Sequence, residues 1–179
     1  MQYRGMQKSY YNICLYEKCS NPLLVAKIIT NYIGEIMIRN IQLTDALAIR
    51  DISEFSLGYK TTEAVTELQI TKLISDKSHF IRVYEDEQTH KVIGFIHAEA
   101  YELLYAETGF NILGLAVLSE YQHKGIGKQL LQVLEAEAAV RHYRFIRLNS
   151  GEHRTEAHAF YEHCGYSCTK LQKRFIKEL

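Results

Sequence analysis

The stretch Gly114-Leu-Ala-Val-Leu-Ser-Glu-Tyr-Gln-His-Lys-Gly-Ile-Gly-Lys-Gln-Leu-Leu131 decides how the rest of the chain is read. It begins inside Phe110–Leu118, a nearly continuous apolar run of the kind that forms a strand covered on both faces. It ends inside a segment from about Gly125 to His142, whose Leu130, Val133, Leu134 and Ala138 recur at helical spacing on one buried face. Between strand and helix lies Gln122-His123-Lys124-Gly125-Ile126-Gly127. Glycines there let the backbone turn tightly, so successive amides point outward at the helix start, where the helix dipole adds positive potential. Such a turn can cradle a pyrophosphate, although two glycines by themselves favour a plain turn. Two phosphate loops fail residue by residue. G-x-G-x-x-G needs a glycine where Leu130 stands. G-x-x-x-x-G-K-[ST] needs a glycine at Gln122 and a hydroxyl at Gln129. The pattern that fits is Q/R-x-x-G-x-G/A.

Outward from this point the chain mixes strands and helices. Glu35–Asn40 predicts a strand, and Thr44 is placed to cap a helix through about Phe55. Thr62 to Ile74 predicts a second helix with Val65, Leu68 and Leu73 turned inward. His79–Tyr84 and Lys91–Tyr101 predict strands joined by a polar turn over Glu85–His90, and Phe95, His97, Glu99 and Tyr101 share one side of the second. Arg144–Leu148 predicts another strand, Arg154–Cys164 a helix, and Tyr166–Lys177 one or two closing strands. The class is α/β in the broad (α+β) sense, a mixed sheet with interspersed helices.

Composition narrows the possibilities. A chain of 179 residues with 47% hydrophobic content can bury a full core, which excludes a disordered chain. Its 21 basic and 21 acidic residues cancel, so it lacks the surplus of a general nucleic-acid binder. Cys14, Cys19, Cys164 and Cys168 are too few for a disulfide scaffold and poorly spaced for zinc, which fits free thiols in a reducing compartment. No apolar run approaches a membrane span. Leu23–Ile29 is short, interrupted by Lys27 and followed by no small-residue cleavage pattern, so a cytoplasmic protein that avoids membranes is expected. Asn21 and Pro22 open a short amphipathic helix, Gly34 closes it, and Val25, Ile28, Ile29 and Tyr32 line one face. Residues 1–36 therefore read as an N-terminal extension on a domain over residues 37–179. Its stripe needs cover from that domain or from a second copy, which makes a homodimer one of two expectations.

A second signature follows the glycine loop. Arg154-Thr-Glu-Ala-His-Ala-Phe-Tyr-Glu-His-Cys-Gly-Tyr166 fits A-x-x-F-Y-x-x-x-G-[FY], with Ala157, Phe160, Tyr161, Gly165 and Tyr166 at the defined places. The two stretches, in this order around one strand, resemble the signatures of the GNAT family of N-acetyltransferases. The resemblance implies a mixed, mostly antiparallel central sheet flanked by helices. It also implies acetyl-CoA as cosubstrate, without a metal, and a small-molecule, peptide or protein amine as acceptor, attacking directly through a tetrahedral intermediate. The strands Phe110–Leu118 and Arg144–Leu148 would splay around the pantetheine arm.

The resemblance assigns the backbone of Leu115, Ala116 and Val117 to the arm and places the Leu115 amide near the thioester carbonyl. An amide aimed at developing negative oxygen is an oxyanion donor worth ~3 kcal/mol. His123, Lys124, Gly125, Ile126, Gly127 and Lys128 would wrap the pyrophosphate. Asn149, Arg154, Ala157 and Phe160 would contact the cofactor, with Arg154 standing where many relatives carry asparagine. Tyr161 would donate the proton to the departing thiolate. Deprotonating an alkylammonium at neutral pH costs ~4.6 kcal/mol, and Glu99, Glu102 and Glu107 are the carboxylates available to help. His153, His158 and His163 recur every five residues, about 140° apart on a helix, and do not converge on a metal. The competing class is a non-catalytic acyl-CoA-binding sensor or scaffold; Tyr161 and the intact glycine loop favour the enzyme.

Overall fold

Among the described residues, five strands form one sheet in the order in which the chain makes them. The computed structural model describes residues 37–179; the extension helix and the first residues of the expected opening strand lie outside the described residues. The chain divides into two compact units, the first ending at Leu148 and the second running Asn149–Leu179. The first unit contains β1 (Ile38–Asn40), α1 (Ala46–Ile52), α2 (Glu63–Leu73), β2 (His79–Glu85), β3 (Val92–Leu103), β4 (Ala106–Val117), α3 (Ile126–Val140) and β5 (Ile146–Leu148). The first four strands pair antiparallel and β5 pairs parallel to β4. Short polar turns suffice for the antiparallel pairs, whereas the parallel pair needs a crossover, which α3 supplies. Among the described residues no helix is long and apolar enough to cross a membrane.

Strand alternation sorts the core into two layers. Val83, Phe95 and Ala116 face one side, where they cluster with Ile41, Ala46, Ile52 and Ile70 from α1, α2 and the chain before them. Phe80, Arg82 and Ile96 face the other, where α3 packs on β2, β3 and β4 with Leu130, Leu131 and Leu134 fully buried. The Arg141 guanidinium at the end of α3 lies 5.2 Å from the centre of the Phe110 ring. β5 can approach β4 because Gly109 has no side chain; a Cβ there would sit 2.5 Å from the Phe145 carbonyl oxygen.

Several local expectations are corrected. Thr44 is not a cap: it lies inside a 3-10 turn over Leu43–Asp45 that precedes α1. The helix start is set instead by Asp45, whose buried carboxylate accepts from the Gln42 amide at 2.7 Å and from Arg39 Nη1 and Nη2 at 2.8 and 2.9 Å. Arg39 also donates to Glu85 at 2.7 Å, tying β1 to β2 and to the helix start. After Ile52 the helix widens into a π-helical turn over Ser53–Leu57. Thr62 does cap α2, accepting the Val65 amide. The inward face, however, carries Thr66 and Ile70, while Val65 and Leu68 are exposed. Apolar residues ring α2, so periodicity alone could not choose its face, and Thr66 tolerates burial because its hydroxyl donates to the Thr62 carbonyl.

The second unit contains α4 (Thr155–His163). Gly165, at φ 89°, ends it: the Gly165 amide donates to Glu162 and the Tyr166 amide to Tyr161. This double closure explains the spacing of the second signature, because the residue after the left-handed position packs back on the helix. The Tyr166 ring indeed lies 5.8 Å from Tyr161. No strand forms over Tyr166–Lys177, contrary to expectation. Leu171, Phe175 and Ile176 are exposed there.

Candidate active site

A bulge in β4 builds the first half of the site. Before it, Phe110 directs its amide toward β5, donating to the Phe145 carbonyl at 2.9 Å. The pairing of β3 with β4 then shifts between His97↔Gly114 and Ala98↔Ile112, leaving Leu113 as the extra residue. Beyond it the Leu118 amide bonds the Ile93 carbonyl at 2.9 Å. In an antiparallel ladder such pairs recur every second residue, so Ala116 and Gly114 also bond toward β3. Leu115 and Val117 therefore turn their amides and carbonyls to the opposite edge. β5 follows β4 only from Phe110 to Ile112, so no strand of the first unit pairs with that edge. The Val117 carbonyl is already taken by Ser56 Oγ at 3.1 Å and Gln122 Nε2 at 3.0 Å. What remains is the Leu115 amide and carbonyl and the Val117 amide. Ala116 contributes a buried side chain and a backbone committed to β3. Leu113, which the apolar run placed in a covered strand, is exposed where the pairing ends.

The glycine loop builds the second half. His123 and Gly125 both take left-handed backbone conformations, at φ 59° and 82°. The helix closes its first bond from the Gln129 amide to the Gly125 carbonyl at 3.0 Å. The amides of Ile126, Gly127 and Lys128 precede that bond and point out of the helix end. No side chain caps them and no acidic residue occupies the first turn, so the dipole is left uncompensated. The Ile126 side chain is buried, which leaves its amide as the available group. Lys124 lies with its Nζ 4.8 Å from the Tyr121 ring centre, at the mouth of the loop. A chain of amides on an exposed loop, with two lysines and no carboxylate in the first turn, suits a pyrophosphate.

The second unit carries the remaining expected residues. Asn149 is its first residue and is exposed. Arg154 occupies the position before α4, with its amide bonded to the Gly151 carbonyl at 2.9 Å. Ala157, Phe160 and Tyr161 lie on α4, with the Phe160 and Tyr161 rings 5.3 Å apart. Burial pushes the Tyr161 phenol up to about 12, against the opposing charge of Arg154. The Tyr161 phenol is thus neutral throughout the physiological range.

The model of the Acetyltransferase (GNAT) family matches residues 44–166. The chain belongs to the GNAT family. It is accordingly a transferase, an N-acetyltransferase of a family that uses acetyl-CoA as cosubstrate and acts on amines. An uncharacterized N-acetyltransferase of Chlorobaculum tepidum is 30% identical over 145 residues, covering 79% of this chain and 80% of its own. The aminoglycoside 6'-N-acetyltransferase of Acinetobacter baumannii superimposes with a TM-score of 0.69 at 19% identity, over 79% of this chain and 97% of its own. Glucosamine-6-phosphate N-acetyltransferase of Arabidopsis thaliana does so with a TM-score of 0.65 at 20% identity, over 79% and 97%. At these identities the two structures establish a shared GNAT fold.

Residue-level reading missed the anchors of this GNAT site. Gln122 fits the motif, yet its side chain serves to pin the loop to the end of β4 rather than to meet a phosphate. Ser56, 61 residues before Val117, holds the same carbonyl, and nothing local in the sequence announces a partner so distant.

Proposed function

We propose that this protein transfers acetyl from acetyl-CoA to a primary amine by direct attack of the amine nitrogen on the thioester carbon. The observation that carries this reading is the unpaired edge of β4 at Leu115 and Val117 running toward the uncapped start of α3. The Leu115 amide and carbonyl and the Val117 amide would pair with the pantetheine amides. The amides of Ile126, Gly127 and Lys128 would bind the pyrophosphate, with His123, Lys124 and the Lys128 side chain around it and Gly125 allowing the turn. Ala116 supports the strand from behind.

The arm then runs from the loop back along β4, and its thioester end reaches the level of Leu115. The Leu115 amide stabilises the negative oxygen that forms as the nitrogen attacks. Tyr161 gives its proton to the departing thiolate, a role supported by its place in the second signature and by its retained proton. Phe160, Ala157, Asn149 and Arg154 are assigned to cofactor contacts on the same motif match. The amine gains an acetyl group and the thiol leaves protonated.

Thiol release from acetyl-CoA tests this directly, measured against an aminoglycoside, glucosamine 6-phosphate, a lysine-bearing peptide and a peptide with a free N-terminus. Amine-dependent release with at least one of them is expected. Acetyl-CoA binding without release across the panel would instead mark a binding module.

A further inference from the structure

The notable polar cluster of the sheet lies where β5 parts from β4. Asn111 sits one residue before the last paired position, Ile112↔Leu148, and stands opposite Glu99 on β3 and Arg147 on β5. Its Nδ2 donates to Glu99 Oε1 at 3.1 Å. A carboxylate accepts only, so this contact fixes the amide orientation and turns Asn111 Oδ1 the other way. That oxygen is buried and, among the described residues, meets no donor. Buried acceptors without a donor are rare in folded proteins and call for a ligand or an ordered water.

The neighbours of Glu99 complete the row. His79 stands opposite it on β2, and His97 and Tyr101 flank it on β3. His79 Nδ1 and His97 Nε2 are 2.9 Å apart. Burial holds His97 down to about 4, so it is uncharged at neutral pH. The Arg147 guanidinium lies 4.6 Å from the Tyr101 ring centre. Glu99 is half-buried and so remains reachable.

We infer that Glu99 is the proton acceptor for the attacking amine, and that Asn111 positions it and offers Oδ1 to the amine's N–H. The inference rests on the reading above: with pyrophosphate at α3 and the arm on Leu115 and Val117, the thioester end points along β4 toward Asn111. On β3, Glu99 lies three residues from Ile96, the partner of Leu115, which is ~10 Å at ~3.3 Å per residue. Across the sheet the gap widens by one strand spacing, ~4.8 Å, and the carbonyl, the attacking nitrogen, the Glu99 side chain and a chain of waters span it. The balance is complete: the ammonium passes one proton through water to Glu99, its nitrogen bonds to carbon as the C–S bond breaks, and that nitrogen releases a second proton to solvent. Glu99 and Tyr161 then return to their starting states by exchange with solvent. The thiolate takes its proton from Tyr161.

The test is Glu99→Gln, assayed by thiol release with whichever amine of the panel wild type turns over fastest. At pH 7 kcat/KM should fall by about 10²-fold, while the thermal shift caused by acetyl-CoA is retained. The deficit should shrink to within about 5-fold as pH approaches ~10, where an alkylamine loses its own proton. Asn111→Leu, which keeps the carboxylate but removes its partner, should lose about 10-fold and recover along the same profile. It carries the test should Glu99→Gln not fold. Wild-type rates at pH 7 in a folded variant, or a deficit that does not narrow with pH, would overturn the role of Glu99. A wild type that neither binds acetyl-CoA nor releases thiol would instead overturn the underlying assignment.

Discussion

The role proposed for Tyr161 rests on surroundings that keep its phenol protonated. The Gly165 turn brings Tyr166 back onto its ring, and burial keeps its proton to about 12. Tyr161→Phe keeps the ring and removes the proton, so turnover should drop by about 10²-fold while acetyl-CoA titration gives near wild-type affinity. Full activity in that variant would remove Tyr161 from the mechanism. His97 makes the opposite demand on pH. Its folded value, about 4, lies below the usual 6.5, so the folded state resists protonation that the unfolded chain accepts. Its stability contribution is present above pH 6.5 and is lost as pH falls toward 4, a change on the order of 3 kcal/mol. Melting curves between pH 7 and 4 should show that loss, and His97→Gln should flatten it. Neither property was legible beforehand: the motif marked Tyr161 as a phenol, and His97 looked like any alternating strand residue. Burial, which decides both, is set by residues far away in sequence.

Elements were legible where period and length agreed. The long apolar strand, the glycine loop and α3 stood out because all three signals are local. Tyr166–Lys177, expected as one or two closing strands, forms none, and Thr44 looked like a cap although the carboxylate of Asp45 closes that turn. The bulge at Leu113 left no mark in the sequence, yet it moves the outward-facing amides from Phe110 and Ile112 to Leu115 and Val117. The start of α3 can be tested as an element. Gly125 sits at φ 82°, and a Cβ there meets nothing nearer than Gln129 Nε2 at 3.9 Å. Gly125→Val is therefore strained in its backbone rather than crowded, and should cost about 1–3 kcal/mol of stability. The domain should still fold, and its acetyl-CoA-induced thermal shift should vanish because the amides no longer converge. An unchanged shift would place the pyrophosphate elsewhere.

For the molecule as a whole, family and class were legible because two local signatures in the right order suffice for both. The sheet order and the pairing of its strands follow from short antiparallel turns and one helical crossover. The acceptor was not legible: the residues of the helix pair over 44–74, Glu54, Tyr59 and Glu63 among them, do not identify an amine. The central claim is that the unpaired edge of β4 and the uncapped start of α3 hold one acetyl-CoA molecule. Amide hydrogen exchange with and without acetyl-CoA tests it most directly. The amides of Leu115 and Val117 and those of Ile126, Gly127 and Lys128 should become protected on binding, while Ala116, already bonded toward β3, should not change. Protection that spares both Leu115 and the start of α3 would contradict the account.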